Sequence, residues 1–167
     1  LVGKKMKLNK IDTRIFKCEI DILKKMGVKM SKTKNTISIY KNSKLKKINI
    51  ETKPYPGFPT DLQAQLMILM TQAKGTSIIR ENIFENRFMH VAELRRLGAE
   101  IIIKKNKAII LGNTNFKAAE LMSSDLRASV ALVLAALVAK GPSTINRIYH
   151  LDRGYEFLER KLKNCEA

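Results

Sequence analysis

The sequence predicts an α/β fold assembled from a repeated unit: helix, strand, arginine-bearing loop, helix, glycine and hairpin. Three observations carry this expectation. The chain has 167 residues, 45% of them hydrophobic, which is enough for one domain with a real core. The stretch "ILKKMGVKMSKTKNTISIY" (22–40) recurs as "ELRRLGAEIIIKKNKAIIL" (93–111), with Leu23 on Leu94, Gly27 on Gly98 and Lys34-Asn35 on Lys105-Asn106, all at a spacing of 71. A second block, "TDLQAQLMILMTQAKGTSI" (60–78), resembles "SDLRASVALVLAALVAKGPSTI" (124–145) and places Asp61 on Asp125, Lys74-Gly75 on Lys140-Gly141 and Arg87 on Arg153.

Taken in chain order, residues 1–53 form an incomplete unit in which an amphipathic helix stops at Gly27, as a glycine past a helix end would stop it, and a hairpin turns at Lys34-Asn35. Residues 54–118 form a complete unit. Its start, "KPYPGFPT", cannot be regular structure, because Pro54, Pro56 and Pro59 lack amide donors and bias their predecessors away from helix. Thr60 is then expected to cap a helix, with Gln63 completing a capping box and Ser124 as the equivalent cap in the next copy. Both helices that follow, "LQAQLMILM" and "ASVALVLAALVA", are apolar nearly all round and call for burial on most faces, so the helices belong inside and the lysine-studded hairpins outside. Residues 119–167 repeat the unit until Ala167, where its hairpin should begin, and the lack of an initiating Met suggests that the chain opens inside an earlier copy.

The formal charge of +17 raises nucleic acid as a partner. Its distribution argues for a solvated surface instead: 15 of the 23 lysines are scattered through residues 1–53, with no aromatic RNA-binding string and no helix-turn-helix signature. No zinc-ligand spacing is present, and Cys18 and Cys165 lie far apart without a CxxC neighbour, as expected of thiols in a reducing cytoplasm. The longest apolar run, Val130 to Ala139, is about half the length of a membrane span, and the opening residues do not read as a signal peptide, so none is expected.

Asp61 and Asp125 fall in the first turn of apolar helices, where a carboxylate either complements the helix dipole or, held at a cleft, acts as a general base. Arg87 and Arg153 either pair with neighbouring Glu85 and Asp152 or direct a planar guanidinium at a phosphate or carboxylate. His90 and His150 do not match each other in the repeat, which favours hydrogen-bonded structural histidines, while Met67 and Met70 read as core and Tyr149 and Tyr155 as packing residues with locally paired hydroxyls.

At these residues the sequence becomes recognisable. "PGFPTDLQAQ", "IFENRFMHVAELRRLGAEI", "SSDLRASVALVLAALVA" and "RIYHLDRGYE" resemble, in order, the C-terminal half of the UDP-N-acetylglucosamine 1-carboxyvinyltransferase family, enolpyruvyl transferases of peptidoglycan precursor synthesis. The resemblance implies two domains, each an inside-out α/β barrel of three units with helices in the middle, and a site between them that needs neither metal nor organic cofactor. It implies that Asp61 contacts the sugar and takes the proton of its 3-hydroxyl, that Ile83 binds the UDP-sugar, and that Arg153 grips phosphoenolpyruvate. Asp125, Arg127 and Arg87 are implied to line the same cleft. The family's cysteine-bearing loop has no counterpart here, neither Cys18 nor Cys165 matches it, and "KNCEA" replaces the usual helix stop at the end. The chain is therefore expected to supply part of an active site whose remainder lies on an N-terminal domain. Within the same chemistry the alternative is the sister enzyme acting on shikimate 3-phosphate, and the alternative of another class is a non-catalytic basic domain that binds nucleic acid.

Overall fold

The computed structural model describes residues 3, 5–41 and 44–164. Leu1, Cys165 and the closing turn at the C-terminus lie outside these residues.

The first segment runs β1 (Lys5–Asn9), α1 (Lys17–Lys25), β2 (Met30–Lys32) and β3 (Thr36–Tyr40), and its strands form an antiparallel sheet in the order β1-β3-β2. Next come β4 (Leu45–Lys46), β5 (Asn49–Glu51), a short 3₁₀ turn (Thr60–Leu62), α2 (Gln63–Thr71), β6 (Ala73–Lys74), β7 (Thr76–Arg80), α3 (Val91–Arg96), β8 (Ile101–Lys104) and β9 (Lys107–Leu111). The last segment holds β10 (Glu120–Met122), α4 (Leu126–Ala136), β11 (Thr144–Asn146), α5 (Tyr149–Asp152) and α6 (Leu158–Asn164). A four-stranded mixed sheet, β5-β7-β9-β8, lies beside two short parallel pairs, β4-β6 and β10-β11.

The repeat read from the sequence reappears as geometry. Gly27 and Gly98 sit at φ 84° and 98°, in the left-handed region open to glycine. Beyond them Val28 donates its amide to Leu23 O (2.9 Å) and Ala99 to Leu94 O (3.0 Å), the same six-residue closure of α1 and α3. Each helix then leads into a hairpin, β2-β3 turning at Lys34-Asn35 and β8-β9 at Lys105-Asn106.

Seven of the nine residues of α2 are buried, with Met67, Ile68 and Met70 fully so, because α4 and the inner face of β7 and β9 close on it from different sides. The alternation in β7 and β9 turns Ser77, Ile79, Ala108 and Ile110 inward. One expectation needs correction. In α4 six of eleven residues are buried, while Leu134 and, just past the helix end, Leu137 and Val138 stay partly open on an apolar cavity of about 450 Å³ shared with α1, α2 and β3. All five residues of β1 are exposed, so that strand has no buried face among the described residues.

Candidate active site

The caps differ from those the sequence suggested. The Thr60 hydroxyl does not cap α2; it donates to Glu81 Oε2 at 2.8 Å, and the chain enters α2 through the 3₁₀ turn after Pro59. At α4 the cap is Asp125 rather than Ser124: Asp125 Oδ1 accepts from the amides of Arg127 (2.8 Å) and Ala128 (3.1 Å), and Ser124 Oγ donates to Oδ2 (3.2 Å). A carboxylate held by two helix-end amides outcompetes a hydroxyl one residue earlier, because ionised acceptors make the stronger bonds. The same bonds hold its pKa below the usual carboxylate value, against the opposing effect of burial.

Capping fixes the first turn of α4 and with it Arg127. Its Nε donates to Asp61 Oδ1 at 2.5 Å, joining residues 66 apart in sequence. The Asp61 side chain is 64% exposed and that of Arg127 34%, so the pair lies at an open edge of the helix layer rather than in the core. Asp61 Oδ2 has no partner among the described residues.

Glu81, which sequence reasoning did not single out, lies at the end of β7 and is 3% exposed. Oε1 accepts from Thr52 Oγ1 (2.8 Å) and from the amides of Ile83 (2.9 Å) and Phe84 (3.2 Å), and Oε2 accepts from Thr60 Oγ1 (2.8 Å). One carboxylate thus fastens the Ile83 loop to the turn that carries Asp61. The only sequence signal was an acid two and three residues before the amides of a turn, a local capping pattern.

Arg153 caps the C-terminal end of α5, is exposed, and makes no ion pair with Asp152. Neighbouring Gly154 packs so tightly against Leu126 that a Cβ there would lie 2.8 Å from Leu126 Cδ2, and Gln65 Nε2 reaches Tyr155 Oη at 3.3 Å. Arg153 is therefore held beside the first turn of α4. Arg87 is placed otherwise. Its guanidinium lies over the Phe84 ring at 4.5 Å, not on Glu85, within the loop of Ile83 and facing an open pocket bounded by Lys105 and Asn106. Among the described residues no hydrogen bond or ion pair joins it to the Asp61–Arg127 pair.

His90 corrects a further expectation. It is 4% exposed, its Nε2 has no hydrogen-bond partner among the described residues, and burial pulls its pKa down to about 4 against the attraction of Asp125. Its ordinary value is 6.5, so as pH falls the unfolded chain takes this proton first. Stability contributed by neutral His90 is complete above about pH 6.5 and is lost on the way down to about pH 4, to an extent on the order of 3 kcal/mol. Urea midpoints measured across that range are expected to fall more steeply for the parent than for His90→Phe; parallel slopes would assign the acid loss to other groups.

Half-buried Cys18 has its pKa raised by burial and by Glu19 and Asp21, which leaves the thiol unready for nucleophilic work. The described residues hold no group of His, Cys, Asp and Glu able to bind a metal ion, and no helix among them is long and apolar enough to cross a membrane.

Comparison with known proteins bears on the chain as a whole. UDP-N-acetylglucosamine 1-carboxyvinyltransferase of Pelagibacter ubique is 62% identical over 97% of this chain and 39% of its own length. The protein of that name from Helicobacter pylori is 52% identical over 100% of this chain and 40% of its own length. The chain thus spans about two fifths of the length of these relatives. Among solved structures, the enolpyruvyl transferase NikO of Streptomyces tendae superposes with a TM-score of 0.88 at 27% identity, over 97% of this chain and 39% of its own. EPSP synthase from Acinetobacter baumannii, at 19% identity and a TM-score of 0.77 over 98% of this chain and 41% of its own, shares the fold. The sequence model of EPSP synthase (3-phosphoshikimate 1-carboxyvinyltransferase) matches residues 2–162, and on that match this chain belongs to the EPSP synthase family, with a partial enolpyruvyl transferase fold.

Proposed function

We propose that this chain forms one wall of the active site of a cytoplasmic enzyme that transfers the enolpyruvyl group of phosphoenolpyruvate to the 3-hydroxyl of UDP-N-acetylglucosamine. The observation that carries the reading is the exposed Asp61–Arg127 pair, which joins two of the repeated units at one edge and leaves a carboxylate oxygen free to meet a hydroxyl. The relatives at 62% and 52% identity bear the name of that activity. Asp61 takes the proton as the sugar oxygen forms its bond to C2 of phosphoenolpyruvate and C3 is protonated. The C2–O bond to phosphate then breaks, phosphate leaves, and C3 gives up a proton to leave the enolpyruvyl ether. Arg153 and Arg127 stabilise the phosphate and carboxylate charges, Ile83 contacts the UDP-sugar through its backbone, and Arg87 and Asp125 shape the field of the cleft. The three units are assigned to residues 1–53, 54–118 and 119–167. An N-terminal domain is the partner that supplies the remaining cationic groups and a cysteine-bearing loop, so the isolated 167 residues are expected not to turn over.

The test is acceptor choice. A full-length transferase carrying these residues, given labelled phosphoenolpyruvate and equal amounts of UDP-N-acetylglucosamine and shikimate 3-phosphate, is expected to label the UDP-sugar alone. Label on shikimate 3-phosphate instead would assign the sister reaction.

A further inference from the structure

We infer that Glu81 is a positioning residue, setting the distance and angle between the Asp61 turn and the Ile83 loop. The inference rests on the proposed roles of Asp61 and Ile83. A carboxylate that is 3% exposed is costly to bury unless its lone pairs are filled, and here four donors fill them: Thr52 Oγ1, Thr60 Oγ1 and the amides of Ile83 and Phe84. The donors come from three places in the chain. Thr52 follows β5, Thr60 directly precedes Asp61, and Ile83 and Phe84 open the loop after β7. Thr52 Oγ1 in turn accepts the amide of Asn82 at 2.9 Å, which ties the loop a second time. Glu81 itself is anchored, since its own amide donates to Asn106 O at 2.8 Å on the neighbouring hairpin.

The two oxygens divide the work. Oε2 holds the Asp61 side through Thr60, and Oε1 holds the Ile83 side through two amides. With the residue 3% exposed and both oxygens engaged by donors, its effect on the reaction is expected to pass through the turn and the loop. A base displaced by about 1 Å from its hydroxyl loses on the order of a hundredfold in rate, whereas a loosened loop weakens binding.

This division yields a pattern that general destabilisation would not produce. In the full-length transferase, Thr60→Val cuts only the link to the Asp61 turn and is expected to lower kcat about 10- to 100-fold while leaving KM for UDP-N-acetylglucosamine within about twofold. Glu81→Ala cuts both links and is expected to lower kcat and raise that KM. Glu81→Gln restores function to within about threefold, because the amide oxygen still accepts from Ile83 and Phe84 and the amide NH₂ donates to the Thr60 hydroxyl. In the 167-residue chain, hydrogen exchange at the Ile83 and Phe84 amides is expected to quicken in Glu81→Ala and to stay slow in Thr60→Val. Asp61→Asn in the same assays separates the two failures. Turnover lost in Asp61→Asn but kept in Thr60→Val and Glu81→Ala overturns the coupling alone. Turnover that survives Asp61→Asn overturns the site reading and the coupling with it.

Discussion

Replacing Asp61 with asparagine is expected to reduce the turnover of the full-length transferase by about two to four orders of magnitude while leaving the fold intact. The side chain is 64% exposed and supports no packing, so stability has little to lose. Asparagine keeps the size, and its amide oxygen can still accept from Arg127 Nε in place of Oδ1. What it cannot do is take a proton from a sugar hydroxyl. The loss should therefore appear in kcat and in kcat/KM together, with KM little changed, the signature of an interaction made only in the transition state. Phosphate release within about tenfold of the parent would remove Asp61 from the role of base.

The largest expected effect on folding belongs to Gly112→Ala. Gly112 follows β9 and lies against the backbone between β6 and β7, where a Cβ would stand 1.8 Å from Ala73 O and 2.7 Å from Gly75 O. Those atoms are main chain and cannot swing aside. Accommodating a methyl means pulling β9 from the turn, which breaks the bonds from Gly112 N to Gly75 O (3.2 Å) and from Asn113 N to Ala73 O (3.0 Å), at the point where β6 pairs with β4. A loss of at least about 4 kcal/mol is expected, a large share of the ~5–15 kcal/mol that holds a domain together. Gly98→Ala is the comparison. Its φ of 98° is unfavourable for alanine, yet the nearest atom to a Cβ is Asn115 O at 3.7 Å, so only the conformational cost of about 1–2 kcal/mol applies. Urea midpoints for the two variants that coincide would show that close backbone approach is not what requires Gly112.

Local signals with a fixed period were legible before any coordinates. The glycine stops at 27 and 98 and the turns at Lys34-Asn35 and Lys105-Asn106 depend on short-range backbone chemistry, and the structure places them where the spacing did. Burial of α2 was legible from a sequence apolar nearly all round; the open side of α4 was not, because periodicity reports which face is apolar and not what covers it. The caps failed for a related reason. Thr60 carries a suitable hydroxyl, but a buried carboxylate 21 residues later claims it, and Ser124 sits beside an aspartate that binds the helix amides better. Asp61 and Arg127 could each be named from the sequence, but their pairing across 66 residues is tertiary. Glu81 was hidden most fully, because two of its four bonds, from Thr52 and Thr60, are invisible until the fold brings those hydroxyls around it, and the other two look like an ordinary local turn.

On the proposed function, the open carboxylate oxygen of Asp61 faces the hydroxyl that reacts. A crystal structure of the full-length transferase carrying these residues, with UDP-N-acetylglucosamine bound, measures that most directly. The sugar 3-hydroxyl is expected at about 2.6–3.2 Å from an Asp61 carboxylate oxygen, with Arg127 still on Asp61 and the Ile83 loop, held by Glu81, touching the UDP-sugar. A sugar bound with its 3-hydroxyl away from Asp61, and with the Ile83 loop clear of the ligand, would contradict it.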